Sequence, residues 1–109
     1  MAQAKSKLES QFQSKTIKEI LAMFPGSYAL KNDSSYQQGI PDWTILWKDR
    51  WATLEFKRSR DAPTQPNQPY YVETFDKMSF AAFIYPENKE EVLRDLQHAF
   101  QSARQSRFP

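Results

Sequence analysis

The sequence predicts a small mixed α/β domain whose elements run helix, three strands, helix, strand, helix. Three observations predict it. Two aromatic and β-branched runs, residues 43–47 (WTILW) and 51–57 (WATLEFK), are separated only by Lys48-Asp49-Arg50, the pattern of a β-hairpin. Apolar residues recur near helical spacing on both sides of that hairpin. A nearly continuous apolar run, residues 80–85 (FAAFIY), follows a helical stretch, as expected of a buried strand joined by a crossover. The chain has 109 residues, a length that suits one domain, 1–109, with one real core.

The elements follow in order. Residues 1–5 are expected to be a flexible tail. Ser6-Lys7-Leu8-Glu9 has the pattern of a capping box, and Leu8, Phe12, Ile17, Ile20, Leu21 and Phe24 supply the apolar stripe of a first helix. Glu9 and Gln13, four apart, share a face of it. Pro25-Gly26 stops that helix, residues 27–31 form a short strand, and residues 32–38 a polar loop. The hairpin comes next, then a charged connection, residues 58–65 (RSRDAPTQ), expected to be mobile and to carry function. Pro66 to Met78 reads as the second helix, with proline tolerated in its first turn and Tyr71, Phe75 and Met78 facing inward. After the fourth strand, Asn88 caps a third helix with Glu91 at its third position and Val92, Leu93, Leu96, Ala99, Phe100 and Ala103 as its core stripe. Residues 104–109 are expected to be a second flexible tail.

The hairpin carries the chemistry. Side chains alternate along a strand, so Ala52, Leu54 and Phe56 share a core face while Trp51, Thr53, Glu55 and Lys57 share the other. Glu55 and Lys57 are then neighbours about 7 Å apart along the strand. In simple hairpin register Asp42, opening the partner strand, lies beside Glu55. Two carboxylates so placed repel unless a cation sits between them, and oxygen ligands with room for water are what Mg2+ prefers. Such a metal polarises a phosphate and lowers the pKa of a bound water, and a neighbouring ammonium stabilises charge there. The constellation suits hydrolysis of a phosphodiester. The competing reading is structural, with Glu55 and Lys57 as a surface ion pair worth little.

Composition narrows the chemistry. There are no cysteines and one histidine, His98, so a Cys-based zinc site and histidine-rich metal chemistry are both excluded. No apolar stretch approaches the roughly 20 residues that span a bilayer, and the first ten residues lack a signal peptide's apolar segment; a cytoplasmic location is expected. The net charge, +2, permits nucleic-acid binding without requiring it. Lys57, Arg58 and Arg60 cluster beside the carboxylates, and Arg104 and Arg107 lie in the tail, a basic rim of the kind that supplies phosphate affinity. Lys31, just before the loop that precedes Asp42, and Tyr36, within it, are further candidates for substrate contact.

Pro41-Asp42, about a dozen intervening residues and then Glu55-Phe56-Lys57 resemble the PD-(D/E)XK nuclease signature. The GIPD turn, the hairpin and the E-x-K triplet are similar in particular to the virus-type replication-repair nucleases and the related Holliday-junction resolvases, of phage type. The resemblance runs from about Leu8 to about Phe100 and implies a restriction-endonuclease-like fold. It also implies metal-dependent endonuclease activity, with Mg2+ (Mn2+ substituting) held by Asp42, Glu55 and the Phe56 backbone carbonyl. Glu9, in the first helix, matches an acid that often completes the site. Gln68 matches a glutamine following E-x-K, expected to bind a phosphate oxygen or hold Lys57. Lys31, Arg58, Arg60 and Gln68 are the DNA-binding candidates. The implied substrate is branched DNA such as a four-way junction, and two symmetric cuts imply a homodimer. A general or nicking endonuclease of a phage or mobile element, and a branched-DNA-binding module without turnover, are the alternatives.

Overall fold

The computed structural model describes residues 7–102. The expected capping residue Ser6, both expected tails, and Ala103, Arg104 and Arg107 lie outside them. The elements run α1 (Lys7–Met23), β1 (Tyr28–Lys31), β2 (Trp43–Trp47), β3 (Arg50–Phe56), α2 (Gln68–Met78), β4 (Ala81–Ile84) and α3 (Lys89–Gln101), the order the sequence predicts. The four strands form one mixed sheet in the order β1-β2-β3-β4. The first three are antiparallel neighbours, and β4 joins β3 in parallel after the α2 crossover.

The sheet is covered unequally. On one face Ile45, Ala52, Leu54, Phe56 and Ile84 meet Ile17, Ile20 and Phe24 from α1 and Val92, Leu96 and Phe100 from α3, which together form the main core. Packing there is aromatic-rich, with Phe24 lying against both Trp47 and Phe100 at centroid distances of 5.1 and 5.0 Å. On the other face α2 covers β3 and β4, with Phe75 edge-on to Trp51. Tyr28, Leu30 and Leu46, on the β1–β2 half of that face, stand exposed. Because both faces of β3 are covered, its residues from Ala52 to Phe56 are all buried, Thr53 and Glu55 included.

Several local expectations change. Leu8 and Met78, read as inward-facing, are exposed; α1 instead buries Gln13 and Thr16 along with Ile17 and Ile20, and Val72 is the buried residue of α2. Leu8 and Met78 sit at the ends of α1 and α2, and Leu21, also read as part of the apolar stripe, is exposed as well. The second helix starts at Gln68 rather than Pro66, because Asn67 adopts a left-handed conformation (φ 73°). Asn88 does not cap α3 with its side chain; it accepts from the Tyr85 N–H at 2.9 Å and donates to the Phe83 carbonyl at 3.0 Å, closing the turn after β4.

The hairpin turn is tighter than expected. Arg50 belongs to β3 and pairs with Trp47, leaving a two-residue turn in which Lys48 takes φ 57°. Arg50 also donates to the carbonyls of Ala99 (2.6 Å) and Ser102 (2.7 Å), satisfying acceptors that the C-terminus of α3 leaves unpaired. A residue with a Cβ is strained at positive φ, whereas glycine is not. Lys48→Gly is therefore expected to raise stability by about 0.5–1 kcal/mol, less whatever the Lys48 ammonium gains from the Trp47 ring 4.4 Å away, a contact usually worth about 0.5–1 kcal/mol at exposed sites. Urea denaturation measures the balance, and a midpoint that falls would show that the cation–π contact outweighs the backbone strain.

Candidate active site

The hairpin register decides where the acids go. Trp43 pairs with Leu54, so Asp42, one residue beyond the last rung of the ladder, falls beside Glu55. The Phe56 N–H donates to Asp42 Oδ2 at 2.8 Å, which orients the Asp42 carboxylate. The Asp42 side chain is 15% exposed and Glu55 is 4% exposed. A carboxylate as buried as Glu55 is costly without compensation, and Glu55 is therefore not one half of a solvated surface ion pair with Lys57. Glu55 receives a hydrogen bond from Gln68 Nε2 at 2.8 Å. The Gln68 Oε1 in turn accepts from the Gln65 N–H at 2.7 Å, so the amide is held at both ends.

Gln68 thus holds Glu55, where the sequence suggested a phosphate oxygen or Lys57. Lys57 is held otherwise. Its ammonium lies over the rings of Phe83 (5.4 Å) and Tyr85 (5.7 Å) and donates to the Arg60 carbonyl at 3.3 Å. The parallel pairing of Glu55 with Phe83 explains this, because it sets Phe83 of β4 and Tyr85 just after it beside the Glu55–Lys57 face of β3.

These groups surround an open cavity of about 350 Å3 whose wall includes Glu9, Asp42, Glu55, Lys57, Arg58 and Gln68. The chain therefore brings together five candidates read from sequence as catalytic, and Arg58 with them. A second cavity of about 260 Å3 adjoins it, sharing Asp42, Glu55 and Gln68 and adding Gln38, Gly39 and Ile40. Lys31 and Arg60 are placed differently. Lys31 reaches Asp42 from β1, its Nζ 4.0 Å from Oδ1, and does not line the larger cavity. Arg60 is exposed, and its backbone N–H donates to Glu87 Oε1 at 3.2 Å. Tyr36, 90% exposed, projects from the loop before Asp42.

That loop is built to meet α2. Asp33 Oδ1 accepts from both the N–H and the hydroxyl of Ser35, and these bonds hold the Asp33 carboxyl below its usual pKa. Gln37 Nε2 donates to the Tyr71 hydroxyl at 2.6 Å. Gly39, at φ 93°, comes so close to the start of α2 that a Cβ there would lie 2.6 Å from Asn67 Cβ and 2.9 Å from the Pro66 carbonyl oxygen. Gly39 and Gln65 were not singled out by sequence as parts of the site. The signal for Gly39 was its place before Ile40-Pro41-Asp42; the partner it touches, 28 positions away, was not visible.

The donor set suits a hard divalent cation: one buried and one partly buried carboxylate open onto a polar cavity, with no sulfur or imidazole lining it. Among the described residues no group of three or more acidic or histidine side chains is gathered closely enough to hold a metal ion. Glu9 accordingly stands on the cavity wall without joining Asp42 and Glu55 in such a cluster.

No protein-family profile and no curated protein sequence matches the chain. Among solved structures the chain is similar to that of Hjc, a Holliday junction resolvase from the archaeal hyperthermophile Archaeoglobus fulgidus. The TM-score is 0.43 and the identity 16%, over 74% of this chain and 68% of that one. No helix among the described residues is long and apolar enough to cross a membrane.

Proposed function

We propose that this chain is a metal-dependent DNA endonuclease that acts on branched DNA. The observation that carries the reading is the placement of Asp42 beside Glu55 at a cavity also walled by Lys57, with each carboxylate held in orientation by its own donor. Asp42 and Glu55 would hold Mg2+, or Mn2+ in its place. The Phe56 carbonyl would add a ligand, since in an extended strand a residue's C=O leaves on the same edge as its N–H, the edge facing Asp42. When bound, the cation polarises the scissile phosphate and makes water a better nucleophile at neutral pH. Gln68 fixes Glu55 so that the two acids meet the cation without rearranging. Lys57 is tethered at the cavity wall, where its ammonium orients the attacking water or offsets charge on the phosphate. Glu9 acts across the cavity through water. Arg58 and Arg60 supply phosphate contacts that position the DNA without reading its sequence. Paired cuts in a four-way junction require two such sites, and a homodimer provides them.

The test is direct. Purified protein is incubated with a labelled four-way junction, linear duplex and single strand, with Mg2+ or EDTA, alongside Lys57→Ala. Metal-dependent paired cuts in the junction alone, lost in Lys57→Ala, are expected. Equal cutting of linear duplex would favour a general or nicking endonuclease. A junction bound but never cut would favour a binding module without turnover. Light scattering at the assay concentration checks the homodimer, and a strict monomer that still makes paired cuts would refute it.

A further inference from the structure

Behind Asp42, away from the cavity, lies a polar cluster that the proposed reaction does not use. Gln13, on the buried face of α1, is 6% exposed. Its Oε1 accepts from Trp43 Nε1 at 3.0 Å and from Lys31 Nζ at 3.3 Å. Both partners can only donate, so the amide oxygen must face them and the amide nitrogen must face away. That nitrogen is buried with no hydrogen-bond partner. An apolar residue would avoid this cost, and the indole N–H alone would need only one acceptor. The Lys31 ammonium is held from three sides, by Gln13, by the Trp43 ring at 5.3 Å and by Asp42 Oδ1 at 4.0 Å. A freely solvated lysine at an edge strand has no such set of partners, although the Lys31 side chain is half exposed.

From this geometry we infer that Lys31, tethered by Gln13, is a positioning cation for Asp42 that sets the affinity of the site for its divalent metal. The inference rests on the reading of Asp42 as a metal ligand. The physical basis is competition for one carboxylate. Two acids side by side repel, and an ammonium beside one of them relieves that repulsion while the metal is absent. Once a divalent cation is bound, the same fixed positive charge opposes it. The site is thereby preorganised without metal and moderated in its affinity for metal.

The test titrates Mg2+ into the 109-residue chain without DNA, by calorimetry, for wild type, Lys31→Met, Lys31→Arg, Gln13→Met and Asp42→Asn, each checked for folding by circular dichroism. Lys31→Met is expected to bind Mg2+ about fivefold to tenfold more tightly at low ionic strength, the gap shrinking as salt is added. Lys31→Arg, which keeps the charge, is expected to stay within about twofold of wild type. Gln13→Met, which frees the ammonium, shifts affinity in the same direction as Lys31→Met and by less. Equal or weaker Mg2+ binding by Lys31→Met, with binding abolished in Asp42→Asn, would overturn this inference alone. Wild type that takes up no Mg2+, or Asp42→Asn that binds as wild type does, would overturn the metal-site reading and this inference with it.

Discussion

Asp42→Asn is expected to lower Mg2+-dependent cleavage by at least about a thousandfold, roughly 4 kcal/mol of transition-state stabilisation, while DNA binding stays equal or becomes tighter. The substitution is nearly isosteric, and an amide oxygen still accepts from the Phe56 N–H that now bonds Oδ2 at 2.8 Å. What it removes is charge. One of the two carboxylates facing the cavity becomes neutral, and an amide NH2 turns toward the Lys31 ammonium that Oδ1 now faces at 4.0 Å. A cation between Asp42 and Glu55 then loses one of its two anionic ligands. DNA gains from the same change, because a phosphate entering the cavity meets less negative charge. Cleavage time courses with Mg2+ and fluorescence anisotropy on labelled junction in EDTA separate the two effects. Retained Mg2+-dependent cleavage would remove Asp42 from the site.

Why the hairpin was legible in the sequence and its surroundings were not follows from what each depends on. Strand parity and a short turn bring Asp42 to the end of the hairpin where Glu55 lies, and the ladder continues to Trp43 and Leu54 just before them. The turn length was misjudged by one residue, and that residue matters: a turn of Lys48-Asp49-Arg50 would pair Trp47 with Trp51 and set Asp42 opposite Phe56, whereas the two-residue turn pairs Trp47 with Arg50 and brings Asp42 opposite Glu55. Element order was legible because the period of apolar residues changes between helix and strand, and because no hairpin can join two parallel neighbours. Gln68 was found through resemblance, yet its partner was not, because whether an amide meets Glu55, Lys57 or a phosphate depends on where α2 begins. Asn67 in a left-handed conformation sets that start, and nothing local announces it. Gln13 was the least legible. It looks like a polar interruption of an apolar helix face until Trp43 and Lys31, 30 and 18 positions away, are brought against it.

The second large effect is expected at Gly39, a residue that touches no substrate in the proposed reaction. Gly39→Ala introduces two separate penalties. A residue with a Cβ at φ 93° is strained, at about 1–2 kcal/mol, and the new methyl would lie 2.6 Å from Asn67 Cβ and 2.9 Å from the Pro66 carbonyl oxygen. Two of these neighbouring atoms, the carbonyl and the adjacent Asn67 carbon, are backbone, so a rotamer change cannot clear the overlap, and overpacking of this kind costs about 1–3 kcal/mol more. The expected total is about 2–5 kcal/mol of stability in urea denaturation, reduced to the extent that the loop lifts away from α2. Lifting has its own consequence. Asn67 immediately precedes Gln68, so backing away from Gly39 moves the amide that holds Glu55 at 2.8 Å, and it also loosens the Gln37 contact with Tyr71. A displacement of about 1 Å in a positioned group is enough to cost about a hundredfold in rate. Measured below the unfolding transition, Gly39→Ala is therefore expected to cleave about a hundredfold more slowly, with DNA affinity changed by no more than about threefold, because Arg58 and Arg60, the proposed phosphate contacts, are not part of the Gly39–α2 approach. A destabilised variant that cleaves at the wild-type rate would show that the approach of Gly39 to α2 stabilises the fold and leaves Glu55 undisturbed.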